Sequence, residues 1–108
     1  MGKGEHTQGE RVSQDLGARR VEREVEVINE LGMHLRAAAE IAKVASRFQS
    51  SIHLLKGEEK ANAKSVLNTA ALAAPKGTRL VLVAEGVDAL EAVEALDRLF
   101  KDRFGEER

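Results

Sequence analysis

A histidine and an arginine two positions apart are the residues of this sequence best placed to do chemistry. His34 and Arg36 lie in the stretch NELGMHLRAAA at 29–39, directly before alanines that favour a helix. Backbone N–H groups at a helix start lack intrahelical partners and share the positive end of the helix dipole, so they bind anions and disfavour an imidazolium. A neutral imidazole keeps a nucleophilic nitrogen, and a guanidinium offers planar donors to phosphate oxygens. The pattern therefore favours phosphoryl transfer through His34, assisted by Arg36.

The spacing alone leaves a simpler interpretation open. G-x-H-x-R is a short pattern, and it would equally suit His34 as an ordinary helix cap with Arg36 as a solvated surface residue. The other histidines have settings that favour no site. His6 lies in a Gly-rich N-terminal stretch, and His53 is predicted in a strand, facing away from the apolar side.

The composition excludes several classes of function. The 108 residues suit one domain, and 17 Lys and Arg nearly balance 18 Asp and Glu. The resulting net charge of −1 creates no field that would attract nucleic acid or an anionic membrane. The lack of cysteine excludes disulfides, thiolate nucleophiles and Cys-ligated zinc. No apolar run reaches the roughly 18 residues that a membrane span needs. We therefore expect a cytoplasmic protein without a nucleic-acid partner, membrane insertion or a metal.

The residue sets of self-contained enzymes are also missing from the sequence. It has no Gly-rich phosphate loop, no paired carboxylates beside a histidine and no serine in a strained strand-to-helix turn. Phosphoryl transfer asks mainly for positioning and charge stabilisation, which a small domain supplies without a deep pocket or a cofactor. The prediction is a relay component whose partners provide the rest of the chemistry.

Hydrophobic periodicity predicts the elements that position these residues. Alternation beginning at Val21 and short apolar runs over 51–55, 60–63 and 79–84 predict four strands. Stripes at spacings of three and four predict helices over 35–48, 65–74 and 88–104, the last with Asp88 as its cap. The order β-α-β-β-α-β-α predicts a two-layer α+β sandwich whose helices cover one face of the sheet.

The N-terminal region is predicted to lie outside this sandwich. Residues 1–20 hold three glycines before position 10 and show no sustained apolar period. Such a segment favours a flexible tail. The predicted domain therefore spans residues 21–108.

Three blocks of the sequence resemble the histidine-containing phosphocarrier HPr family of the bacterial phosphotransferase system. NELGMHLRAAA resembles the family signature N-x-x-G-L-H-A-R-P-A. ANAKSVLNTAALAAPKG at 61–77 resembles the block around a regulatory serine, and LVLVAEGVDALEAVEAL at 80–96 resembles the closing strand and helix. The resemblance implies an open-faced β-sandwich, with four antiparallel strands under three helices. It also implies that His34 carries a phosphoryl group on Nδ1 and that Arg36 assists.

The resemblance further implies the partners. A carrier of this family takes its phosphoryl group from the phosphoenolpyruvate-dependent enzyme I and passes it to sugar-specific or regulatory components, and a monomer is expected. Leu35 and Leu67 would lie on the docking surface for these partners. The runner-up is a regulatory binding module of the same fold, whose phosphorylation state controls other proteins. A third interpretation, an RNA-binding or ligand-binding domain, is disfavoured because aromatic residues and a basic bias are missing.

Some positions depart from the family pattern, and one has two interpretations. Ala37 stands where the family usually has proline, Leu35 replaces a small residue, and Asn68 replaces a common glycine. Ser65 precedes a predicted helix, where a serine accepts an N–H as N-cap. The resemblance implies that a serine kinase regulates carriers at this position, so Ser65 is a candidate both for capping and for regulatory phosphorylation.

Overall fold

One antiparallel sheet and three helices account for most of the described residues, which are 10–13 and 19–108 of a computed structural model. The sheet has the order β1-β2-β5-β3-β4. Its strands are β1 (Glu10–Ser13), β2 (Arg19–Glu26), β3 (Ser51–Lys56), β4 (Glu59–Asn62) and β5 (Arg79–Gly86). The helices are α1 (Leu35–Ala45), α2 (Val66–Ala70) and α3 (Ala89–Lys101), and a 3-10 turn follows at Arg103–Gly105.

The sheet forms because its strands carry apolar side chains at alternate positions. In β2, Val21 and Val25 are buried, whereas Glu24 and Glu26 between and after them are exposed. In the central strand β5, Leu80 and Leu82 are completely buried. Alternate side chains point to opposite faces of a sheet, so these residues form one apolar face. The three helices cover that face, and the resulting α+β open-faced sandwich confirms the predicted fold class.

The two longer helices pack on the sheet through small and branched residues. Buried positions of α1 and α3 recur at the helical spacing, and they meet the apolar face of the sheet. The backbone of α3 approaches β2 and β5 closely, and small buried residues such as Ala92 make this possible. None of the helices in the described residues is long and apolar enough to cross a membrane.

A carboxylate ends α1 earlier than its apolar stripe predicts. The stripe runs to Phe48, but the helix stops at Ala45. The Asp88 carboxylate accepts the N–H groups of Gln49 and Ser50, each at 2.9 Å, and also the Ser50 hydroxyl. Asp88 was predicted to cap α3, but its side chain makes no capping bond there. It holds the connection from α1 to β3 instead.

The second helix is shorter than predicted and ends in a strained turn. The alanine-rich composition of 65–74 predicts helix throughout, whereas α2 ends at Ala70. Ala73 then adopts a positive φ of 51°, which an L-residue with a Cβ adopts only at some cost. Pro75 follows and cannot continue a helix.

The structure adds a fifth strand to the four that were predicted. The backbone of β1 pairs with the outer edge of β2, although the sequence predicts flexible chain for residues 1–20. The predicted start of the first strand, Val21, is corrected to Arg19. Residues 1–9 and 14–18, with His6, lie outside the described residues, so the tail prediction remains a prediction for them.

Candidate functional site

The segment after α3 carries an acidic residue back to the start of α1. Arg103, Phe104 and Gly105 have successive positive φ values of 55°, 55° and 82°, which reverse the chain. Phe104 is buried and packs edge-to-face on Phe100, with ring centroids 4.9 Å apart. These features fix Glu106 beside the helix start.

Hydrogen bonds and close packing also hold the loop before α1 in place. The buried Asn29 donates from Nδ2 to the carbonyl of Gly32 at 2.9 Å, and Met33 N–H donates to the carbonyl of Ala74 at 2.8 Å. Gly32 has a φ of 72°, and a Cβ there would lie only 2.8 Å from Ala74 O. Glycine is therefore required at position 32 for both its conformation and its close approach.

His34 is the N-cap residue of α1, but its side chain is free from capping. Its backbone is extended and its carbonyl accepts the first bond of the helix, from Ala38 N–H at 3.0 Å. The imidazole makes no capping bond. Its Nε2 lies 2.6 Å from Oε2 of Glu106. This geometry argues against the simpler interpretation of His34 as an ordinary cap.

The Glu106 carboxylate joins three donors at this point. Its Oε1 accepts from Asn29 Nδ2 at 2.9 Å, and its Oε2 lies 3.3 Å from Nη1 of Arg36. Burial acts most strongly on the Glu106 pKa and would raise it. The hydrogen bonds from Asn29 and His34 and the charges of His34 and Arg36 together outweigh burial, so the pKa is held below its ordinary value.

An ionised carboxylate at hydrogen-bond distance decides which ring nitrogen of His34 is free. A carboxylate can only accept, so Nε2 must carry the proton that it donates to Glu106. In the neutral ring, the lone pair then lies on Nδ1. The contact therefore favours Nδ1 as the nucleophilic atom.

Positive groups surround the same end of the helix. The first bond within α1 is made by Ala38 N–H, which leaves the amides of Leu35, Arg36 and Ala37 without an acceptor inside the helix. The Arg36 side chain is 54% exposed and touches the site through Glu106 and, at 3.4 Å, the carbonyl of Phe104. The arrangement can bind an anion in front of the imidazole.

The other residues singled out from the sequence lie around this point or away from it. Leu35 is 60% exposed and Leu67 is 75% exposed, and the helices that carry them pack on each other. Ser65 accepts Asn68 N–H at 3.1 Å, which confirms its capping role.

His53 lies on the sheet face away from the helices, where partial burial and the charge of Lys60 lower its pKa against the opposing effect of Glu85.

Sequence reasoning missed two members of the site. Glu106 lies 72 residues from His34 along the chain, and no periodic pattern connects the two. Gly105 directly before it was a signal for a reversal after the helix. Asn29 was visible in the quoted motif, but only the fold shows that its amide binds Glu106. Its buried Oδ1 has no hydrogen-bond partner among the described residues.

A family model, curated relatives and solved structures all show similarity to the same group of phosphocarrier proteins. The family model described as "PTS HPr component phosphorylation site" matches residues 21–102. Phosphocarrier protein HPr of Treponema pallidum is 46% identical over 83 residues, 77% of this chain and 94% of the relative. Phosphocarrier protein NPr of Shewanella violacea is 39% identical over 87 residues, 81% of this chain and 96% of the relative. The crystal structure of HPr-C-His from Thermoanaerobacter tengcongensis is 40% identical and superposes with a TM-score of 0.77, over 81% of this chain and 98% of that one.

The lowered pKa of Glu106 predicts a pH-dependent contribution to stability. A carboxyl group with a depressed folded pKa stabilises the fold above its ordinary pKa of about 4.3, and this contribution is lost as the pH falls through the folded pKa. Glu106→Gln keeps the size of the side chain and removes its charge. Urea unfolding should show the wild type to be more stable than the variant at neutral pH, and the difference should shrink as the pH falls below the ordinary pKa of the carboxyl group. The matched control is Glu107→Gln, since Glu107 is exposed. Equal stability of wild type and Glu106→Gln at neutral pH would contradict the prediction.

Proposed function

Since this chain belongs to the HPr family of the bacterial phosphotransferase system, we propose that it accepts a phosphoryl group on Nδ1 of His34 from enzyme I. It then passes the group to sugar-specific or regulatory components. The observation that carries this assignment is the 2.6 Å contact between Nε2 of His34 and Glu106, which leaves Nδ1 free at the helix start. The protein works in the cytoplasm as a monomer and as a relay component.

The site residues divide the chemical step among them. The Nδ1 lone pair attacks phosphorus, and the bond from phosphorus to the donor breaks with its electron pair leaving on the donor. The proton on Nε2 stays, so the phosphorylated ring is a cation whose charge Glu106 offsets. Arg36 and the free amides of α1 bind the phosphoryl oxygens. Attack by the acceptor reverses these changes and restores the neutral ring.

The exposed leucines beside the site supply the docking surface in this proposal. Leu35 follows His34 directly, and Leu67 lies on the helix that packs against α1. Exposed large apolar side chains next to a reactive group are typical of a contact surface. Leu31, in the loop before His34, is 73% exposed and extends the same set.

A second candidate function differs in what the phosphorylated protein acts on. A regulatory binding module of the same fold would use the same phosphorylation to control other proteins, with little sugar-transport flux. The departures at Ala37 and Asn68 from the common family pattern favour this second candidate. Both candidates require His34 to be phosphorylated.

The main prediction concerns the phosphorylated residue. Incubation with phosphoenolpyruvate and enzyme I should add one phosphate to the intact mass, and the label should be lost in acid because a phosphoramidate is acid-labile. His34→Ala should abolish the label, whereas His53→Ala and His6→Ala should keep it. Label that survives in His34→Ala would overturn the site assignment.

The role of Arg36 is tested by its removal. The guanidinium stabilises phosphoryl charge in the proposal and is largely exposed, so Arg36→Ala should slow transfer from enzyme I roughly 10-fold to 1,000-fold. The fold should stay intact, as circular dichroism would show. Arg47→Ala, which removes an exposed arginine beyond the other end of α1, is the matched control and should transfer at the wild-type rate. An unchanged rate in Arg36→Ala would reduce Arg36 to a surface residue.

Two substitutions of Ser65 separate its capping role from regulation by a serine kinase. Ser65→Ala loses the bond from Asn68 N–H, so it should destabilise the protein by about 1 kcal/mol and transfer normally. Ser65→Asp keeps a cap and adds charge near Leu67, so it should preserve stability and slow phosphorylation of His34. The measurements are urea unfolding and the initial rate with enzyme I. A wild-type rate in Ser65→Asp would mean that Ser65 is only a cap.

A further inference from the structure

The outer edge of β2 is covered by β1, a strand that lies before the residues matched by the family model. β1 pairs with β2 in the register Glu10 opposite Arg23 and Ser13 opposite Arg20. It lies before the residues that the family model matches, 21–102. Without β1, the strand order makes β2 an edge strand of eight residues. Long open edges tend to pair with another chain.

The backbone directions show which groups of β2 face this edge. Both backbone groups of Val27 bond toward the β5 side, N–H to Thr78 O and C=O to Gly77 N–H. The N–H and C=O of one residue in an antiparallel strand point to the same side, and successive residues alternate. The even-numbered residues of β2 therefore face the outer edge. β1 covers Arg20 and Glu22, whereas Glu24 and Glu26 lie beyond its end.

The charges of β2 make this edge complementary to itself. Arg19 and Arg20 stand at its start, and Glu24 and Glu26 stand at its end. A second copy that pairs antiparallel, centred on Glu22, places Arg20 of each copy opposite Glu24 of the other. The two Glu22 residues then face each other, each already bound to its own Arg20 at 2.7 Å. Opposite charges on facing residues stabilise such a pair of strands.

We infer that the β2 edge is an association surface for a second copy of this chain, and that β1 shields it by occupying the same backbone groups. The protein stays monomeric while β1 is paired. Displacement of β1 releases an edge that pairs weakly, because one strand pair buries far less than the roughly 1,600 Å² of a standard interface. This inference does not depend on the role of His34.

The test weakens β1 in the full-length chain. Arg11 lies opposite Glu22, so its N–H faces β2, and Arg11→Pro removes that donor. In sedimentation equilibrium, the wild type should remain monomeric at about 1 mM, whereas Arg11→Pro should approach twice the monomer mass with an association constant on the order of 10⁴ M⁻¹. High salt should weaken this dimer, since salt screens the attraction between the opposite charges that face each other across the two strands. Ser13→Pro, which removes the donor opposite Arg20, should behave alike.

A double variant identifies the surface. The N–H of Glu24 faces the outer edge and takes no part in pairing with β5, so Arg11→Pro with Glu24→Pro should keep the fold and return the protein to a monomer. Circular dichroism reports on the fold. The inference is overturned by a wild type that dimerises, by folded Arg11→Pro and Ser13→Pro variants that stay monomeric, or by a double variant that dimerises as strongly as Arg11→Pro.

Discussion

The contact between Nε2 of His34 and the carboxylate of Glu106 is the interaction on which the rest of the site depends. It selects the ring nitrogen that is free, and it places a negative charge where a phosphorylated ring would become positive. Distant parts of the chain converge to make it. The α3 helix, the reversal after it and the buried Phe104 bring Glu106 to the loop that ends at His34. Asn29 then holds the second carboxylate oxygen.

The positive groups at the start of α1 and the negative charge of Glu106 nearly balance, as reversible binding of a phosphoryl group would require. In the proposed transfer, amides of α1 and the Arg36 guanidinium would bind the phosphoryl group, and in the unphosphorylated protein Glu106 partly neutralises Arg36. Without the carboxylate, the Arg36 guanidinium would lose its negatively charged partner in the unphosphorylated protein. With it, Arg36 has a partner in each state. A phosphocarrier must hold the phosphoryl group without trapping it, and the proposed balance of charges would meet that requirement.

Local features of the sequence predicted the fold and part of the site well. The alternation of β2 and the helix start after His34 follow from neighbouring residues, so short patterns were enough to find them. The ends of α1 and α2 were predicted too late, because Asp88 and the turn at Ala73 override helix propensity through contacts that composition does not show. Glu106 was missed because its partner lies 72 residues away. The family resemblance supplied Nδ1 as the reactive atom, and the Glu106 contact gives a physical reason for it.

The close packing of Gly32 against Ala74 has a consequence for how the protein meets its partners. The bond from Met33 N–H to Ala74 O and the lack of room for a Cβ at Gly32 tie the His34 loop to the segment after α2. The two surfaces that carry Leu35 and Leu67 are thus set relative to each other before any encounter. In the docking proposed above, little conformational entropy would remain to be lost, so modest contacts would be enough for recognition. A carrier that visits several proteins in turn can therefore bind each of them briefly and still be recognised by all.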